Sequence, residues 1–277
     1  MPWRACRPQL QHERACARGY SMSLHVQVTG SGADIVLLHG WAMHGGVFDE
    51  ITAALSARYR VHCIDLPGHG RSEFDAHLTN LEQLTARIAA YVPAHAYVVG
   101  WSLGGLLAMQ LATRLPLRGL VLVSSTPKFV ADDEWDRGMP QAVFAQFSSR
   151  LQSNFTGTVE DFLRLQVRGD LNAAETFSTL KTRLLQHPPQ RAALQLGLEI
   201  LRDSDSRSLL SRITIPSLIV AGEHDRITHP RAAEYMAMHL PHTRLCIVKR
   251  AGHAPFISHR AEFMDELTAF LAESVAA

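Results

Sequence analysis

Gly100-Trp101-Ser102-Leu103-Gly104-Gly105 is the segment whose residue types and spacing most plainly suit chemistry. It follows the apolar run Tyr97–Val99 and opens a helical pattern over Leu103–Arg114. A G-x-S-x-G sequence between a strand and a helix is a nucleophile elbow, a turn so tight that the flanking positions have no room for a Cβ. Gly105 lets the helix approach the sheet. The turn presents Ser102 at a helix N-terminus, where free N–H groups and the helix dipole favour negative charge. A serine nucleophile needs a base to take its proton and an acid to orient that base. His253, in Ala251-Gly252-His253-Ala254-Pro255, follows the apolar run Leu245–Val248 and is the candidate base. Asp225, in Ala221-Gly222-Glu223-His224-Asp225, follows Ser217–Val220 and is the candidate acid. The order Ser, Asp, His along the chain differs from both major serine-protease orders. Glu223 is the rival acid, and His224, His229 and His259 are rival bases. None of the three has a strand-end loop of its own.

Acyl transfer also requires two donors aimed at one oxyanion. The N–H of Leu103, just after the nucleophile, is one. The N–H of Trp41, in His39-Gly40-Trp41 after the run Ile35–Leu38, is the other. Trp41 also suits the wall of an acyl pocket, and His39 is expected to brace neighbouring loops. Asp65-Leu66-Pro67-Gly68-His69-Gly70-Arg71-Ser72 lacks the third glycine of a dinucleotide loop, since position 73 is Glu73. It reads as a rigid turn. With no H-E-x-x-H and the 15 histidines scattered singly, no metal is expected, and the chemistry needs no cofactor.

These residues need a scaffold that gathers strand ends. Short runs, Ile35–Leu38, Val61–Ile64, Tyr97–Val99, Leu120–Val123, Ser217–Val220 and Leu245–Val248, alternate with helical patterns such as Asn80–Tyr91 and Arg231–His239. Continuous rather than alternating apolar runs indicate strands covered on both faces. The fold class is therefore α/β, a mostly parallel, doubly wound sheet. Between about Thr126 and Arg212 the alternation stops and only helices are predicted, over Ala142–Leu151, Val159–Arg168, Ala173–Gln186 and Arg191–Leu201. An all-helical insertion between parallel strands packs over the carboxyl edge, where ligands bind, as a lid. The division is core over 22–125 and 213–277, lid over 126–212, and a non-structural N-terminal extension over 1–21. Ser258 is expected to cap the last helix, Arg260–Leu271.

The 277 residues are 47% hydrophobic and carry a formal charge of +1, so nothing in the charge points to a polyanion binder. Four arginines against one glutamate put residues 1–21 at +3, leaving the rest at −2. That stretch has no apolar core of a secretory signal. No run approaches the roughly 20 apolar residues of a membrane span. Cys6, Cys16, Cys63 and Cys246 show no C-x-x-C spacing, as for free thiols in a reducing cytoplasm. A cytoplasmic monomer without nucleic-acid or membrane partners is expected.

Leu37-Leu38-His39-Gly40-Trp41, the elbow, and Gly252-His253-Ala254-Pro255-Phe256-Ile257-Ser258-His259 resemble the pimeloyl-[acyl-carrier protein] methyl ester esterases of biotin synthesis, within the α/β-hydrolase superfamily. Thr158–Gln166 and Gly197–Leu201 in the lid, and Asp133-Glu134-Trp135, are similar to that family too. The resemblance implies a serine carboxylesterase that frees methanol from a pimeloyl chain held on acyl-carrier protein. It implies substrate contacts from Trp41, Ser102, Leu103, His253 and the stretch Phe162, Leu163, Arg164, Leu165, Gln166. Acyl-carrier proteins are acidic, so Arg164, Arg168, Lys181 and Arg183 are the candidate carrier contacts. Asp161, Ala174 and Ser178 stand where the family has some of its carrier-binding arginines. The same triad would also serve a general short-chain carboxylesterase or a carbon–carbon bond hydrolase. A non-catalytic binding protein on this fold is the remaining alternative.

Overall fold

In the computed structural model, which describes residues 23–276, the apolar runs become one seven-stranded sheet. The expected extension over 1–21 lies outside the described residues. The strands are β1 (Val26–Thr29), β2 (Ala33–Leu38), β3 (Tyr59–Ile64), β4 (Tyr97–Trp101), β5 (Gly119–Val123), β6 (Ser217–Gly222) and β7 (Thr243–Val248). Their spatial order is β1-β3-β2-β4-β5-β6-β7. Only β1 runs antiparallel, against β3; every other pair is parallel. Strands β4, β5 and β6 are buried along their whole length, while β1 and β7 at the edges are partly open. That is why the central strands are written as unbroken apolar runs.

The chain steps from β2 outward to β3, then returns past β2 to β4 and proceeds the other way. Such a reversal opens a crevice at the carboxyl ends of the two strands where it occurs. Leu38 pairs with Gly100 across that junction, so the His39–Trp41 loop and Ser102 leave the sheet at nearly one level.

Alternate residues of each strand feed two apolar clusters. Val36, Leu38, Val98 and Leu122 pack against Leu106, Leu107 and Met109 of α3 (Leu103–Ala112); α1 (Asp49–Leu55) and α2 (Leu81–Ala89) precede it. Ile35, Leu37, Val99 and Val220 pack on the opposite face against Phe256 of α9 (Pro255–Ser258) and Phe263 and Leu267 of α10 (Arg260–Ala276). The remaining core helix, α8 (Pro230–His239), covers β6 and β7.

The insertion between β5 and β6 supplies α4 (Gln141–Ser153), α5 (Phe155–Gln166), α6 (Ala173–Gln186) and α7 (Arg191–Asp203). Helix α5 starts earlier than its pattern suggests because the Asn154 side chain accepts from the Gly157 N–H at its first turn. It stops before Gly169, whose φ of +84° is left-handed and cannot continue a helix. Ser258 does not cap α10. Pro255 starts the short helix α9 directly after the His253 loop, so the chain is already helical at Ser258, whose hydroxyl pairs with His259 Nδ1 at 2.8 Å. Among the described residues no helix is long and apolar enough to cross a membrane. Cys63 and Cys246 are free thiols, each with its pKa pushed up to about 11 chiefly by burial.

Candidate active site

Ser102 adopts φ +56° and ψ −116°, a conformation that costs a non-glycine residue on the order of 1–3 kcal/mol. The surroundings enforce it. Its N–H is held by the Val123 carbonyl at 2.9 Å, and its carbonyl accepts from Gly105, Leu106 and the Ser125 hydroxyl. A Cβ on Gly104 would sit 2.1 Å from the Leu38 carbonyl oxygen, and one on Gly105 would sit 1.7 Å from Ser125 Oγ. The elbow can close only with glycine at both places. Serine at a helix start ordinarily caps it, but the Ser102 hydroxyl makes no cap bond and is left for chemistry.

Asp225 is buried, and every lone-pair direction of its carboxylate is used. Oδ1 accepts from the N–H groups of Ile227 (2.8 Å) and Thr228 (3.0 Å); Oδ2 accepts from the Thr228 hydroxyl (2.9 Å) and from His253 Nδ1 (2.7 Å). An imidazole that donates from Nδ1 presents a bare Nε2 as its basic atom. His253 Nε2 is buried and has no hydrogen-bond partner. The imidazole lies beside Trp101, the residue before Ser102, with ring centroids 5.6 Å apart, and the Trp101 indole donates to the His253 carbonyl at 2.8 Å. Ser102 and His253 are not hydrogen-bonded to each other, and such bonds are often long before substrate binds.

Leu103 is the first residue of α3, where helix geometry leaves the N–H without an intrahelical partner. The second expected donor sits in a loop pressed against Ser102: a Cβ on Gly40 would be 3.2 Å from Ser102 Cβ. After Trp41 the chain turns through Ala42 at φ +65°. His39 holds this loop by donating from Nδ1 to the Gly40 carbonyl (2.8 Å) and accepting the Leu66 N–H at Nε2 (2.9 Å). Burial pushes its pKa down to about 3, so it stays neutral and acts as a brace. The Asp65–Ser72 turn is braced similarly, with Asp65 accepting from the N–H groups of Gly45 and Arg71.

Ser102 and Trp41 share the wall of an apolar cavity of about 60 Å³ with Phe144 and Phe147 of α4, Phe162 and Leu165 of α5, and Leu198 of α7. The Trp41 indole is fixed by a bond from Nε1 to the Leu194 carbonyl (2.9 Å) and by edge contacts with Phe147 and Phe162. Of the stretch Phe162–Gln166, then, two side chains face this cavity. Leu163 packs instead in the cluster with Val167 and Phe256. Arg164 is exposed, pairs with Glu160 at 2.8 Å and lies over the Phe177 ring. Gln166 is buried, and its carbonyl receives the His253 N–H at 2.8 Å.

Lys181 also reaches Glu160 (3.4 Å), Arg183 pairs with Asp49 (2.7 Å), and Arg168 is exposed. The rival residues have other occupations. Glu223 accepts the Arg250 N–H, His224 bonds the Gly169 carbonyl, and His229 caps α8. Among the described residues no group of histidine, cysteine and acids is placed to hold a metal. Sequence reasoning missed Thr228, Trp101 and Asp170, the last of which accepts the Gly252 N–H at 2.8 Å. A threonine three residues after a candidate acid is the only sequence cue any of them offers.

Residues 35–266 match the alpha/beta hydrolase family. A pimeloyl-[acyl-carrier protein] methyl ester esterase of Nitrosomonas europaea is 44% identical over 245 residues, 87% of this chain and 97% of that protein. One from Stenotrophomonas maltophilia is 41% identical over 252 residues, 90% and 96% of the two chains. Among solved structures, an esterase from Exiguobacterium antarcticum superposes with a TM-score of 0.84 at 21% identity, covering 91% of this chain and 96% of that one, a likeness of fold. A buried acid–imidazole pair beside a strained serine, on a parallel sheet under a helical insertion, accords with these matches: the chain belongs to the alpha/beta hydrolase family and, within it, to the pimeloyl-[acyl-carrier protein] methyl ester esterases.

Proposed function

We propose that this protein hydrolyses the methyl ester of pimeloyl-[acyl-carrier protein] in the cytoplasm, releasing methanol and the free distal carboxylate for biotin synthesis. The observation that carries the reading is the placement of Ser102 in the wall of an aromatic, lid-roofed cavity, in a chain 44% identical to an esterase of that name. His253 Nε2 takes the Ser102 proton as Oγ adds to the ester carbonyl. The N–H groups of Trp41 and Leu103 hold the oxyanion, and the imidazolium, stabilised by Asp225, returns its proton to the departing methoxide. Water, deprotonated by the same imidazole, cleaves the acyl-serine and restores the enzyme. Trp41, Phe162 and Leu165 wall the methylene chain, while Leu163 supports α5 from behind and Gln166 fixes the base. Acyl-carrier protein is the partner, met by a monomer. Arg168 needs no ion pair broken to meet its acidic surface; Arg164, Lys181 and Arg183 would exchange Glu160 and Asp49 for it.

The cavity is far below the roughly 300–1,000 Å³ of a ligand pocket, so its walls must move apart before an acyl chain enters. That narrowness favours, as a second reading, a carboxylesterase for short acyl groups. Rates on pimeloyl methyl ester bound to its carrier, beside short p-nitrophenyl esters, separate the two: the first reading expects a kcat/KM for the carrier substrate at least about 10²-fold higher. Equal rates would remove it. A biotin auxotroph lacking this esterase should grow when supplied with the intact gene and not with Ser102→Ala, whose kcat should fall by about 10³-fold or more.

A further inference from the structure

The loop that carries His253 is held from an unexpected side. The Gly252 N–H donates to Asp170 Oδ2 at 2.8 Å, and the His253 N–H donates to the Gln166 carbonyl at 2.8 Å. The Arg250 carbonyl accepts from Leu171 at 2.9 Å, and the Ser258 carbonyl accepts from the Asn172 amide at 2.6 Å. These partners are the last residue of α5, Gln166, and three residues of the turn between α5 and α6, all within the inserted segment. The core holds the same backbone from the other side: the Trp101 indole donates to the His253 carbonyl at 2.8 Å, the Arg250 N–H donates to Glu223 at 2.9 Å, the His224 N–H donates to the Ala251 carbonyl at 2.9 Å, and the Ala251 N–H reaches the Val248 carbonyl at 3.4 Å.

Of these four lid contacts, the Gly252 bond alone uses an ionisable side chain. Asp170 is buried, and its second oxygen accepts the Asn172 N–H at 2.7 Å, so one carboxylate ties the turn to itself and to the base's loop. Gly252 cannot retreat: a Cβ there would lie 2.5 Å from the Gln166 carbonyl oxygen, which shows how closely the two segments meet. Because two backbone donors from separate segments converge on this one side chain, this contact is the anchor of the set.

We propose that Asp170 is a positioning residue for the reaction, a lid carboxylate that sets where the His253 imidazole stands relative to Ser102. The inference rests on the reading of His253 as the general base. The end of α5 is then a fixed abutment that cannot lift without taking the base with it. Parting of the lid falls to α4, whose side chains over the cavity, Phe144 and Phe147, are apolar, whereas α7 is tied to the Trp41 indole through the Leu194 carbonyl.

The test uses the full chain and p-nitrophenyl butyrate, a substrate too short to depend on the carrier. Asp170→Ala should lower kcat about 10- to 100-fold, the cost of misplacing a catalytic group by a fraction of an ångström to an ångström. KM should stay within about twofold, and fluorophosphonate labelling of Ser102 should slow in step with kcat. Asp170→Asn keeps one acceptor oxygen for two donors and should restore part of the rate, leaving it about 3- to 10-fold below the parent. A kcat within twofold of the parent in Asp170→Ala would overturn the proposal. So would a loss of rate that tracks the unfolded fraction measured by circular dichroism. Should Asp170→Ala not fold, Asp170→Asn decides alone, and parental kcat there overturns the proposal. His253→Ala in the same assay separates the two failures. If His253→Ala stays active, the assignment of the base is wrong; if it is inactive while Asp170→Ala is not, only the positioning role is wrong.

Discussion

At the scale of single residues, Asp225 is organised by more than its histidine partner. The Thr228 hydroxyl and two backbone N–H groups fix both oxygens of Asp225, so the carboxylate reaches His253 Nδ1 with one orientation available to it. Thr228→Val keeps the shape and deletes one donor. It should cost about 1 kcal/mol of stability in urea unfolding and lower kcat about tenfold with little change in KM. An unchanged kcat would mean that the two backbone donors suffice. Ser102, Asp225 and His253 could all be singled out from motif and order alone. Thr228 and Trp101 could not, because their part depends on which atom each side chain reaches after folding. Leu163 shows the opposite error of a linear view. Standing between Phe162 and Leu165 in sequence, it is about 100° around the helix from the first and about 160° from the second, and packs on the far side.

Helix α5 has three jobs at the element scale, because its faces meet different surroundings. Phe162 and Leu165 face the cavity, Leu163 packs toward α9, and the carbonyl at its end holds His253. Phe162→Ala should enlarge the cavity where Trp41 now meets Phe162 edge-on and Phe147 packs against it at a tilt. The expected price is about 3–4 kcal/mol of stability, with activity shifting toward longer acyl esters. Measuring kcat/KM across p-nitrophenyl esters from acetate to octanoate checks this, and an unaltered chain-length profile would show that Phe162 does not limit the channel. The helical insertion is legible in the sequence because β-branched runs vanish between β5 and β6. Its helix starts are less so, since the Asn154 cap advances α5 to Phe155 from an apolar pattern that begins later.

For the whole molecule, the loops at the carboxyl edge are locked by neutral histidines. Burial drives both His39 and His69 down to about 3, and each ring is engaged with a backbone carbonyl. In the unfolded chain both titrate near 6.5. Above that pH neither state binds the proton and the contribution to stability is complete. As pH falls from 6.5 toward 3, the unfolded chain takes up protons the folded one refuses, and stability is lost. Each residue should cost ~2 kcal/mol at pH 5 relative to pH 7, a large part of the 5–15 kcal/mol typical of a domain. The urea midpoint should therefore fall steeply between pH 7 and pH 5; a flat midpoint would show that water or relaxation admits the charged rings.

The amino-acid sequence by itself determined the parallel sheet, the lid's position in the chain and the three residues read as nucleophile, acid and base. Those features are written in local signals: apolar runs, glycines around a serine, loops at strand ends. Tertiary structure alone decided that the helical insertion shares with the core in holding the backbone of the His253 loop, and that one leucine of α5 leaves the cavity. Hydrogen bonds between segments as far apart as Asp170 and Gly252 obey no periodicity, so no spacing along the chain announces them.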